Sequence, residues 1–293
     1  AGALDGTARM PPRSTPSLRA AAWMTVAQLL FAVMAVGARM GARNVPWPEV
    51  CASRFLVGGV TAFAVARARG VSLQISKRRE AWLRSGFGTL AAAGTFYVFA
   101  APRLAIGDAA TLFATSPIFV ALLSAPLLGE RVPRGLAMCL LLGFAGIALV
   151  AQPSLSTAGP LVAVGAATAV SSAMAMIWLR RIGPNESSEA IVLHFACVGF
   201  GVMTVASIPV WRTPTVAQAL LLGGTGLCAG LAQIAMTRAY GLDRAARVSA
   251  LGYSGVVFTR ALGAPAFGEV PNAMQALGSL LVIASGLLLS LLR

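Results

Sequence analysis

Apolar stretches near the ~20 residues that span hydrocarbon, each closed by a short polar or basic break, recur along the whole chain. They fall at residues 18–38, 47–66, 82–101, 109–128, 135–151, 160–179, 190–211, 217–239, 248–267 and 273–292, and predict ten membrane helices. The segment Met10 to Leu18 is polar and proline-rich, and the apolar run after it is too long for a cleaved signal core, so the first helix is expected to stay in the membrane.

The pattern is written twice. Ala125-Pro126-Leu127-Leu128-Gly129-Glu130 returns 139 positions later as Ala264-Pro265-Ala266-Phe267-Gly268-Glu269, and the same offset places Leu112 on Leu251, Phe119 on Phe258 and Leu123 on Leu262. Glu49 and Arg54-Phe55 are echoed at an offset of 140 by Glu189 and His194-Phe195. Five spans per copy, an odd number, insert the second copy upside down. The expected fold is an all-α membrane protein of ten transmembrane helices in two inverted five-helix repeats, residues 18–151 and 159–292, after a disordered cytoplasmic tail at 1–17.

Composition agrees with a lipid solvent: 57% of residues are hydrophobic and 11% charged, against roughly a quarter charged in a soluble domain. The net charge of +14 has two readings, nucleic acid or membrane orientation. The basic residues sit on short loops without a continuous aromatic-interleaved face, which argues against nucleic acid. Seventeen of the 23 basic residues, Arg69, Lys77, Arg84, Arg180 and Arg238 among them, fall on one side of the predicted spans, so that side is expected to be cytoplasmic with both termini on it.

Cys51, Cys139, Cys197 and Cys228 lie within spans without Cys-x-x-Cys spacing, as small packing residues rather than disulfides or a zinc site. No phosphate-binding Gly-Lys loop, His-Glu-x-x-His or Gly-x-Ser-x-Gly occurs. Gly224-Thr225-Gly226 mimics a dinucleotide fingerprint but sits inside an apolar span, where Gly226 and Gly230 have the spacing of close helix packing. An intramembrane hydrolase needs a buried nucleophile and base, and nothing pairs the single histidine, His194, with a particular serine. Neither an enzyme nor a cofactor is expected. Two inverted five-helix halves suit alternating access around a midplane site, so a small-molecule transporter is the economical reading.

Ala52-Ser53-Arg54-Phe55-Leu56, the duplicated Gly129-Glu130 and Gly268-Glu269, and the run from Ser171-Ser172 to Trp178-Leu179-Arg180-Arg181 resemble the EamA-type drug/metabolite transporter superfamily over roughly residues 20–292. Within it the chain looks most like bacterial exporters of aromatic and other neutral amino acids. The resemblance implies an inner-membrane protein with the third, fourth, eighth and ninth helices around a central cavity and the fifth and tenth outside it; no obligatory protein partner is expected, and a monomer is the expected state, although the glycine faces could pack within or between chains. A nucleotide-sugar or other metabolite or drug carrier of the same superfamily is the alternative cargo class.

Polar and aromatic residues at mid-span depth are the cargo candidates, because a polar group facing lipid is costly. On the cavity helices these are Phe96, Tyr97, Thr115, Ser116, Gln233, Tyr253 and Ser254, with Gln28 and Trp178 behind them. Their hydroxyls and amides suit a zwitterion and their rings its apolar part; the competing role is to bridge neighbouring helices. Arg54 has two roles open, snorkelling to the outer interface or holding a carboxylate, and His194 and Arg260 join it as gating or charge-pairing candidates. Pro117, Gly252 and Gly255 are hinge candidates in the fourth and ninth spans. Glu130 and Glu269 are expected to cap the amides of the helix that follows each. All nine acidic residues map to termini, loops or span ends. That leaves no midplane carboxylate to carry a proton, and points to facilitated export.

Overall fold

The computed structural model describes residues 18–102, 104–130, 135–151, 155–268 and 272–291. The first half of the chain forms α1 (Leu18–Gly41), α2 (Trp47–Arg69), α3 (Arg78–Ala100), a broken pair α4 (Ile106–Phe113) and α5 (Ser116–Leu128), and α6 (Leu136–Ala151). The second half repeats the order: α7 (Leu155–Ile182), α8 (Ser188–Ser207), α9 (Val216–Leu242), the broken pair α10 (Ala245–Leu251) and α11 (Ser254–Phe267), and α12 (Ala273–Leu291). No strand occurs among the described residues. The α1, α2, α7, α8 and α9 segments are each long and apolar enough to cross a bilayer, which makes this a multi-pass membrane protein.

The residues point the way lipid demands. On α1, Val26, Leu29 and Val33 stand outward at helical spacing while Ala27, Ala35 and Ala38 are buried; on α2, Leu56, Val60 and Phe63 face outward and Gly58, Gly59 and Ala62 inward. Large side chains meet lipid, and small ones let helices approach. The closest packing joins one half to the other: α1 on α9, α2 on α8 and α9, α3 on α7, and α6 on α12. A Cβ at Gly37 of α1 would run into Thr225 of α9, and one at Gly94 of α3 into Thr168 of α7. One at Gly230 would lie 2.8 Å from the Gly58 Cα, and one at Gly226 would lie 2.6 Å from the Val57 Cβ. Of the dinucleotide-like glycines, Gly226 is thus a helix contact, while a Cβ at Gly224 would meet open space.

The fourth and ninth predicted spans are each two helices rather than one. Around Ala114–Thr115 and Gly252–Tyr253 the backbone bonds shorten to three-residue steps: the Thr115 amide donates to Leu112 O at 3.3 Å, and the Gly252 and Tyr253 amides to Ser249 O and Ala250 O at 2.9 and 3.2 Å. Pro117 has no N–H to continue the first ladder. The duplicated hexapeptide ends both second pieces alike, with Gly129 at φ 67° and Gly268 at φ 70°, a left-handed C-cap that a Cβ would strain. Glu269 lies outside the described residues. Glu130 reaches across to the other half: one of its oxygens accepts the Ala245 amide at 3.1 Å and the other Arg180 Nε at 2.9 Å. Among the described residues it caps α10, in the other half.

Candidate functional site

Two broken spans and the helices against them leave a cavity of about 250 Å³, to which α1, α2, α3, α7, α8 and α9 also contribute. Its wall is mostly apolar (Met24, Phe31, Met34, Phe96, Phe99, Phe113, Phe195, Met236), with Gln28, Gln233, Ser116, Thr168 and Ser172 as hydrogen-bonding points. Two arginines line it, and none of its described lining residues is acidic.

Arg84, one of the basic residues of the expected cytoplasmic side, stands in the cavity wall with 1% of its surface exposed. The reason is local. The third helix begins at Arg78, not Trp82, so Arg84 stands almost two turns inside it. Its Nη2 donates to Gln233 Oε1 at 3.0 Å, and its guanidinium carbon lies 3.8 Å from the centre of the Phe195 ring. Gly88, one turn on, makes the room: a Cβ there would collide with Arg84 Nη1 and the Phe195 ring. Arg84 Nε and Nη1 are buried without a hydrogen-bond partner.

Arg54 comes from α2 to the same wall, 5% exposed. It does not reach for the membrane interface. Its guanidinium rests over Phe55, Phe96 and Phe195, 4.7, 5.7 and 5.6 Å from the ring centres. Phe195 therefore touches both arginines, and cation–π contact is the main local compensation for their burial.

Of the remaining sequence candidates, Gln28, Phe96, Ser116, Gln233, Pro117, Gly252 and Gly255 line this cavity. Gln28 lies against the break in the ninth span: a Cβ on Gly252 would be 3.5 Å from its Nε2, and one on Gly255 would overlap its Oε1. Others sit elsewhere. Thr115 and Ser254, equivalent under the 139-residue repeat, each donate a hydroxyl at 2.8 Å to equivalent carbonyls, Leu112 O and Leu251 O; both hydroxyls serve the helix breaks. Tyr97 is 44% exposed and packs edge-on against Trp47. Tyr253 is buried away from the cavity, against Gly143 of α6 and Ser285 of α12. Trp178 carries Arg181 over its ring at 5.0 Å. His194 Nδ1 shares a 2.8 Å hydrogen bond with Ser85 Oγ and meets Trp82 edge-on. Arg260 is buried over Gly107, where a Cβ would come within 2.9 Å of its guanidinium carbon.

Outside the cavity the charges pair. Glu189, buried in the first turn of α8, accepts from Arg69 of α2 and Arg238 of α9 at 2.6 Å each. Arg180 binds Glu130 and also donates to Tyr240 O at 3.0 Å. At the equivalent position in the first half, Glu49 accepts the Arg212 amide at 2.7 Å.

The EamA-like transporter family matches residues 18–152. The pseudopaline exporter CntI of Pseudomonas aeruginosa is 30% identical over 271 residues, covering 90% of this chain and 93% of that protein. A riboflavin transporter of Vibrio cholerae is 24% identical over 275 residues, 92% of this chain and 91% of that protein. A solved crystal structure superposes with a TM-score of 0.79 over 93% of this chain and 96% of its own, at 22% identity, a likeness of fold alone.

Proposed function

This chain belongs to the EamA-type drug/metabolite transporter superfamily, and from that premise we propose that it is a secondary exporter of amino acids and amino-acid-like metabolites in the bacterial inner membrane. The observation that carries the cargo reading is the central cavity: about 250 Å³, walled by phenylalanines, with Arg54, Arg84, Gln28 and Gln233 among its polar groups. Guanidinium and amide donors suit a carboxylate, and the rings suit an apolar or cationic remainder. The volume lies below the ~300–1,000 Å³ of drug-sized pockets, which favours a small cargo over a nucleotide sugar.

The proposed topology is ten spans in two inverted repeats with both termini cytoplasmic. It draws on the matched order of helices, the equivalent breaks at Thr115 and Ser254, and the packing of one half on the other. Alternating access would work through the breaks, with Pro117, Gly252 and Gly255 beside the cavity as hinges. No acidic side chain lines the cavity among the described residues, so the proposed transport is facilitative rather than proton-coupled.

Counterflow into liposomes tests this reading. Labelled amino acid should exchange saturably without an imposed pH gradient; exchange that strictly requires the gradient would overturn the facilitative mechanism. Uptake of UDP-glucose but no amino acid would move the chain to the nucleotide-sugar alternative, for which the second cavity arginine is the favouring observation.

A further inference from the structure

Arg54 and Arg84 put two positive charges on one small cavity, and no described lining residue is negative. Elsewhere four arginines have acids: Arg69 and Arg238 share Glu189, Arg180 has Glu130, and Arg247 has Asp243. Arg84 has a single amide oxygen, and two of its buried nitrogens have no partner. Among the described residues Arg54 has aromatic faces and no acidic partner, with Phe55, Phe96 and Phe195 around its guanidinium. Buried charges in proteins are normally paired or hydrogen-bonded throughout. A pair compensated by aromatic faces and one amide oxygen leaves donors on the cavity for the molecule that enters.

We propose that Arg54 and Arg84 form a two-point anion site whose cargo carries two carboxylates, giving it net negative charge instead of the balanced charge of a neutral amino acid. The inference rests on the transporter reading and narrows it. The two guanidinium groups come from different helices, α2 and α3, and meet at the Phe195 ring, so each can take its own carboxylate while the ring covers the carbon chain between. Gln28, Gln233 and the cavity hydroxyls can hydrogen-bond a central amine or hydroxyl without neutralising either charge. The cavity offers an ammonium group no carboxylate, which turns selectivity against cargo with a single acid group. An anionic cargo is also drawn outward by an inside-negative membrane potential, a drive that needs no coupling proton.

The test is binding in detergent, measured by calorimetry on the full chain with glutamate, iminodiacetate, glycerol 3-phosphate, phenylalanine and threonine, followed by counterflow of the same compounds in liposomes. Expected is that glutamate or iminodiacetate binds at least about tenfold more tightly than phenylalanine or threonine, and that Arg84→Gln or Arg54→Gln removes about tenfold or more of that affinity. Arg181→Gln, which deletes the same charge beside Trp178 outside the cavity, should leave affinity unchanged, and monodisperse elution of all three variants shows that they fold. Tighter binding of the neutral amino acids, preference for glycerol 3-phosphate over both dicarboxylates, or dicarboxylate affinity unaltered by the cavity substitutions would overturn the proposal. Arginine-dependent dicarboxylate binding with no flux of any compound would uphold the site and sink the transporter reading on which the cargo assignment was built.

Discussion

Arg69 and Arg238 meet one buried glutamate at 2.6 Å each, whereas Arg54 and Arg84, more deeply buried, meet none among the described residues. The two groups differ in what an arginine is placed to do. At the helix ends, Glu189 ties α2, α8 and α9 together and Glu130 ties α5, α7 and α10, so the charges are spent within the protein and fix its shape. In the cavity the chain keeps the charges and leaves out the acids, an arrangement unfavourable for stability alone and favourable for holding an anion. Charge satisfied internally marks scaffold; charge left unsatisfied marks a site.

Substitutions on each side of that divide should behave oppositely. The largest effect is expected at Glu189: Glu189→Gln leaves two arginines facing a neutral amide and should cost about 2–3 kcal/mol, below the ~3–5 kcal/mol for breaking a fully buried pair because Arg69 is half exposed. Thermal unfolding in detergent measures it, and an unchanged Tm would dissolve the distinction between the two groups. Next is Arg84→Gln, which should lower transport about tenfold or more while stability holds or rises, since a buried unpaired charge is removed; parallel loss of stability and flux would show that Arg84 is scaffold too. Glu130→Gln weakens one salt bridge and one amide cap, and about 1 kcal/mol is expected, again in stability before flux. Arg181→Gln sharpens the comparison from below: an arginine on a tryptophan face outside the cavity should change stability by less than ~0.5 kcal/mol and leave cargo exchange at the parent rate.

Much of the architecture was legible because it is carried by period and by repetition. The duplicated Gly-Glu corner predicted equivalent geometry, and Gly129 and Gly268 adopt the same left-handed cap. The helix breaks lie beside Pro117 and Gly252, residues that stand out in the sequence because each weakens a helix. The site was harder to read for two physical reasons. A hydroxyl in a helix can satisfy itself on its own backbone, as Thr115 and Ser254 do, and no sequence pattern separates that from a hydroxyl aimed at cargo. Which way a helix faces is also hidden when its residues are apolar all round: Tyr253 sits one residue from cavity-lining Gly252 yet packs on α6 and α12. Arg84, near the start of the third apolar stretch, reads in sequence as a charge at a helix end, and only the helix start at Arg78 places it almost two turns inside. Phe195 was legible as the repeat mate of Phe55 but not as the ring shared by two cations, a fact of tertiary packing between α2, α3 and α8.

The most direct test of the cavity as the transport site is glutamate counterflow through the parent chain and through Arg84→Gln at equal density in liposomes, with no imposed gradient. Saturable exchange by the parent that falls about tenfold or more in the variant is the predicted result. Equal exchange by both would place the path elsewhere and return Arg84 to the scaffold.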